Sequence, residues 1–95
     1  MMKKEIYEHI MLQFLEKGTT QETLFGGLAS EVGEVMAERV KETRNGEDRT
    51  EEIKDELSDV LAYMLFILHK RKLSLGEIML HGYNKLEGRA LSGKK

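Results

Sequence analysis

The sequence predicts an all-α domain spanning residues 1–95, a four-helix bundle completed by oligomerisation. Three observations lead there. A residue able to cap a helix stands three positions before an acid at Thr19/Glu22, Asp48/Glu51 and Ser74/Glu77. Each such pair precedes a segment whose apolar residues recur as on one helical face. No stretch alternates with the period of a strand, and the chain contains no Pro, as expected where most residues are helical. The run Val60–Leu68 is apolar on every side, which calls for more cover than a small bundle provides by itself, so a second subunit is expected over it.

The first helix is expected over Lys3–Glu16, with Ile6, Ile10, Met11 and Phe14 on one face and Lys17-Gly18 ending it. Thr19 then opens a second helix that runs to about Arg44, its inward stripe being Leu24, Leu28, Val32, Val35, Met36 and Val40. Asn45-Gly46 is the clearest break. A third helix follows from about Arg49 to Arg71, with Ile53, Leu57, Val60, Leu61, Met64, Leu65 and Leu68 inward and three basic residues at its dipole-favoured end. Ser74 starts the fourth, which carries Leu75, Ile78, Met79 and Leu86 and is weakened by Gly82 and Gly88. The tail, residues 90–95, is expected to be flexible.

Composition narrows the function classes. A chain of 95 residues buries only roughly 60–65% of its unfolded surface, so its core is thin. The net charge is −2, with both signs interspersed, which gives no basic stripe for a nucleic-acid backbone. There is no Cys, hence no disulfide framework or thiolate metal site. Nothing resembles a signal peptide, and the longest apolar run, nine residues, falls short of the about 20 that span a membrane. The expectation is a cytoplasmic protein with no nucleic-acid or membrane partner.

Four carboxylates do not fit a plain core. Glu31 and Glu34 on the second helix, and Glu56 and Asp59 on the third, form two i, i+3 pairs. Glu31 lies one turn from both Leu28 and Val35; Glu56 and Asp59 flank Leu57 and abut Val60. Acids beside an inward stripe must be paired, neutralised or bound to a cation. The nearby basic residues Arg39, Lys41 and Lys54 fall on other faces or farther along. Four acids without His or Cys suit Mg²⁺, or Mn²⁺, rather than zinc or copper. A di-iron bundle is excluded, because His9, His69 and His81 follow Ile6, Phe66 and Ile78 where a Glu would be needed. The bland alternative is a solvated acidic face, common in a chain that is 34% charged. Gly33, in mid-helix, calls for a packing reason, which is either the close approach of another helix around a shared ion or plain tight packing.

The stretches Gly27–Val35 (GLASEVGEV) and Asp55–Tyr63 (DELSDVLAY) resemble the MazG-like all-α nucleoside triphosphate pyrophosphohydrolases. The wording is nearest to the short MazG-like and dCTP pyrophosphatase branch, and the likeness runs from about Leu24 to Arg89. The family signature is Glu-Glu-x-x-Glu on one helix and Glu-x-x-Asp on the next. The resemblance implies a MazG-like bundle with Glu31, Glu34, Glu56 and Asp59 as Mg²⁺ ligands. Ser30 stands where many members carry the first Glu, and Glu38, one turn beyond Glu34, is a candidate substitute. Glu34 or Glu38 is expected to orient the attacking water. The family's basic and amide-bearing last helix corresponds here to Asn84, Lys85 and Arg89, which would meet the phosphates. Tyr83 or Phe25 would contact a base or belong to the core.

The implied reaction splits a ribo- or deoxyribonucleoside triphosphate between the α- and β-phosphates, giving the monophosphate and pyrophosphate, in a homo-oligomer, dimer or tetramer. Two other readings stay open: phosphoribosyl-ATP pyrophosphohydrolase, and a non-catalytic helical interaction module. The preferred base and sugar, the number of ions and the biological role are not legible.

Overall fold

A computed structural model describes residues 3–15 and 17–91. Among them the chain forms four helices and no strand: α1 (Lys4–Leu12), α2 (Gln21–Asn45), α3 (Thr50–Lys70) and α4 (Leu75–Leu91). The α2–α3 hairpin is the body of the structure, and α1 lies against α3.

Helix α1 stops at Leu12, short of the expected end; Glu16 lies outside the described residues. The chain tightens there, as Gln13, Phe14 and Leu15 each donate their N–H three residues back, to Ile10, Met11 and Leu12. The cap of α2 is Thr20, one residue beyond the expected Thr19, and its hydroxyl accepts from the Thr23 N–H at 3.2 Å. Gly46 ends α2 in the left-handed conformation that favours glycine, φ 66°, with its N–H on the Glu42 carbonyl at 2.9 Å. Asp48 does not cap Glu51. Its Oδ1 accepts from the Thr50 N–H and hydroxyl, so α3 begins one residue late behind Arg49. Ser74 and Glu77 do form the expected reciprocal box, at 3.0 and 3.1 Å. Helix α4 continues through Leu91, into the segment expected to be a flexible tail; residues 92–95 lie outside the described residues.

The buried core is small and lies towards one end of the hairpin: Leu24 on α2, with Ala62, Leu65 and Ile67 on α3. Much of the expected inward stripe is instead open, including Val32, Met36, Val40, Leu57, Leu61 and Met64. One pair of helices with α1 and the start of α4 against it has no further layer to cover that stripe. Leu75 and Ile78 line an apolar groove with Phe25, Leu28, Met64, Ile67 and Leu68. Beyond them α4 stands away, leaving Met79, Tyr83 and Leu86 about 60% exposed. The radius of gyration, 16.2 Å, exceeds the about 12 Å of a compact chain this long. No helix of the described residues is long and apolar enough to cross a membrane.

Candidate metal and nucleotide site

The hairpin brings acids from both helices together. Carboxylate oxygens of Glu31 on α2 and of Glu56 and Asp59 on α3 lie within 4.8 Å of one another. Glu31 and Glu56 are half-buried and Asp59 is exposed, so the cluster sits at a surface with one side open to water. Glu34 is exposed and outside this group of three, yet near enough for its charge to act on Glu56. The Glu56 carboxyl is pushed above its ordinary range by burial, then by the charges of Glu34, Glu31 and Asp59, and by a hydrogen bond with Glu31.

None of these four acids belongs to an ion pair among the described residues. The nearby cations are occupied elsewhere: Arg39 with Glu42, Lys41 with Glu38, Lys54 with Glu51, and Arg49 with Glu38 and Glu47. A cluster of hard oxygen donors without an internal counter-ion fits a divalent cation. Oxygens on one octahedral Mg²⁺ lie about 3.0 Å apart when adjacent and about 4.2 Å when opposite, so a spread of up to 4.8 Å closes onto one ion with side-chain adjustments of up to about 2 Å.

Contacts on either side of the cluster fix how the two helices face each other. One turn before Glu31 stands Gly27, and one turn after Asp59 stands Tyr63. A Cβ built on Gly27 would lie 2.2 Å from Tyr63 Cε1, so only glycine admits the ring there. Tyr63 also meets Phe66 edge-on, with ring centroids 6.0 Å apart. The close approach expected at Gly33 is thus at Gly27: a Cβ on Gly33 meets nothing within 4 Å.

On the loop side lies Glu38, which is buried and set apart from the three acids. Its Oε1 accepts from Lys41 Nζ at 3.2 Å, and its Oε2 from Arg49 Nε. The Arg49 hydrogen bond is the largest reason its carboxyl is held below the ordinary range, against the opposing effect of burial. Glu38 therefore has both oxygens committed to cations, while Glu34 is open to solvent. Ser30, at the departure from the family signature, is exposed on α2.

Asn84, Lys85 and Arg89 are exposed on α4, which stands off the α2–α3 pair, so a single chain does not close them over the cluster. Tyr83 and Phe25 are also exposed.

The family profile of the MazG nucleotide pyrophosphohydrolase domain matches residues 19–92. The chain belongs to the MazG nucleotide pyrophosphohydrolase family. The matched segment takes in the whole of α2 and α3, and so every acid of the cluster. No curated protein and no solved structure matches the chain. Membership of the MazG family supports hydrolysis of a nucleotide at a pyrophosphate bond; that family is typically metal-dependent, and the acidic cluster is a candidate metal-binding group.

Arg49 and Gly27 were not singled out by sequence reasoning. Arg49 carried a signal, since a cation at the start of a helix opposes the dipole and so points to a carboxylate partner elsewhere.

Proposed function

We propose that the chain hydrolyses a nucleoside triphosphate, ribo- or deoxyribo-, between its α- and β-phosphates in the presence of Mg²⁺ or Mn²⁺, releasing the monophosphate and pyrophosphate. The observation that carries this reading is the convergence of Glu31, Glu56 and Asp59 from two helices without a protein cation among them. In it, these three acids hold the ion and Glu34 completes the set from the rim. A divalent cation held there would screen the phosphate charge and make water a better nucleophile.

The side chains supply position and proton transfer. An ion held by the cluster would place the triphosphate on the open side of the hairpin, where Glu34 stands at the rim. Glu34, exposed and free of a salt bridge among the described residues, accepts the proton of the attacking water; the oxygen attacks phosphorus and the α–β bridging bond breaks. Glu38, offered by the sequence as the alternative base, has a weaker claim because Arg49 and Lys41 hold both its oxygens. Asn84, Lys85 and Arg89 contact the phosphates once α4 is brought to the carboxylate face. Homo-oligomerisation over the open apolar stripe supplies the force for that closure.

The test is phosphorus NMR of products from a panel of ribo- and deoxyribonucleoside triphosphates and phosphoribosyl-ATP with Mg²⁺. Pyrophosphate together with a monophosphate is the expected result. Orthophosphate with a diphosphate, turnover of phosphoribosyl-ATP alone, or no turnover of any member, overturns the proposal.

A further inference from the structure

The cluster of like charges lies between two differently built ends of the hairpin. Every buried apolar residue among the described ones, Leu24, Ala62, Leu65 and Ile67, lies on the side away from the α2–α3 loop. On the loop side the facing apolar side chains are half-buried at best, as with Val35 and Ile53, while Met36, Val40 and Leu57 are exposed. Apolar burial alone therefore grips the helices weakly there. Where ionised, three acids in close company push the helices apart unless a cation joins them.

What holds the loop side is polar. Arg49 stands at the start of α3 and reaches back to α2. Its Nε donates to Glu38, its backbone N–H to Glu42 Oε2 at 2.8 Å, and Nη1 to Glu47 at 3.2 Å. Glu38 is the one charged side chain among the described residues that is buried. It lies one turn beyond Glu34 and two beyond Glu31, and Arg49 lies two turns before Glu56, about 10 Å along each helix. A helix slipping at that pin carries its acids with it, because helices move as rigid rods over such a distance.

We infer that Arg49, through Glu38, is a positioning residue for the acidic cluster: it fixes the register and separation of α2 and α3, so that Glu31, Glu56 and Asp59 stay within reach of one divalent ion. The inference rests on the ion site proposed above and names what sets its geometry. It also gives Glu38 a task other than chemistry.

The full chain is titrated with Mn²⁺ alone, the free ion being read by electron paramagnetic resonance, with helix content followed by circular dichroism. Charge and position predict opposite signs here. Removing a cation near an acid cluster tightens Mn²⁺ binding if only the field matters. Losing the pin weakens it, by about 10- to 100-fold if Arg49 acts as a support to the ligands. The expected result is weakened binding in Arg49→Ala with the helical signal kept, and no such loss in Lys41→Ala, which removes a Glu38 partner on α2 itself. Equal or tighter binding in Arg49→Ala, or an equal loss in Lys41→Ala, overturns the inference. Should Arg49→Ala lose its helices, the reciprocal swap Glu38→Arg/Arg49→Glu is read instead. Affinity within about tenfold of the parent, the lower edge of that range, supports the pin and a larger loss overturns it. A parent chain that binds no Mn²⁺ removes the ion site and the pin together, whereas unchanged binding in Arg49→Ala removes the pin alone.

Discussion

Two glycines on α2 give opposite predictions for the same substitution. In Gly27→Ala the new methyl lies 2.2 Å from Tyr63 Cε1, 2.5 Å from Cζ and 2.9 Å from Cδ1. Carbon atoms rest about 3.5–4 Å apart, so the ring or the helix must recede by more than about 1 Å. The ring is half-buried, packed edge-on against Phe66 and bordered by a pocket it shares with Leu15 and Thr23, so part of the shift is taken up there and the rest falls on the helices. Overpacking of this kind costs about 1–3 kcal/mol. Replacing a mid-helix glycine by alanine returns about 1 kcal/mol of helix propensity, so the net loss is about 0–2 kcal/mol. Gly33→Ala has the same propensity gain and meets nothing within 4 Å, so it should stabilise by about 1 kcal/mol. The propensity terms cancel in the comparison, and the variants should differ by about 1–3 kcal/mol. For a chain of this size that is roughly 4–24 °C in Tm, with Gly27→Ala the lower. Thermal melts by circular dichroism at equal protein concentration read the difference. Gly27→Ala melting at or above Gly33→Ala would refute the idea that Tyr63 fills the place of a side chain at Gly27. Because that contact lies one turn from Glu31 and Asp59, Gly27→Ala should also weaken Mn²⁺ binding.

Lys72 ends α3 in the left-handed conformation, φ 58°, with its N–H on the His69 carbonyl and that of Leu73 on the Leu68 carbonyl. Lys72→Gly keeps both bonds and removes the Cβ conflict, so it should gain about 1 kcal/mol and raise Tm by about 4–8 °C; a lower Tm would contradict this. Glu56 predicts a pH dependence. Its carboxyl is raised from 4.5 in the fold, so its stabilising contribution is present below that value and is lost as pH rises through the raised one. Glu38, held low, acts oppositely, its contribution being present above the ordinary carboxylate range and lost on acidification. In ion-free protein, Glu56→Gln should therefore melt higher than the parent at neutral pH while binding Mn²⁺ less well. An identical dependence of Tm on pH in the two proteins counts against the crowding of charge at Glu56.

The legible parts of this fold were those decided within a few residues. The Ser74–Glu77 box depends only on local spacing and forms as expected, and Gly46 stops α2 where the Asn-Gly step suggests. The Thr19 box moved by one residue because Thr20 carries the same hydroxyl and wins the cap. Asp48 was diverted by Thr50, whose N–H and hydroxyl both reach it. The acids were legible because Glu31, Glu56 and Asp59 sit beside apolar residues, where a charge needs a reason. Periodicity showed which face of each helix is apolar but not what lies over it, which is why Val32, Met36 and Val40 were expected inside and are open. The Gly27–Tyr63 approach and the Glu38–Arg49 pair depend on the distance and register between two helices, which no local pattern encodes.

The central claim is that acids from α2 and α3 share one divalent ion. Calorimetric titration of Mn²⁺ into the parent and into Glu31→Gln, Glu56→Gln and Asp59→Asn tests it most directly, with the exposed Glu87→Gln on α4 as the reference for loss of a charge. Each of the three cluster variants should bind at least about tenfold more weakly than the parent, while Glu87→Gln binds as the parent does. Equal affinity across all of them, or no binding by the parent, would contradict a shared ion site.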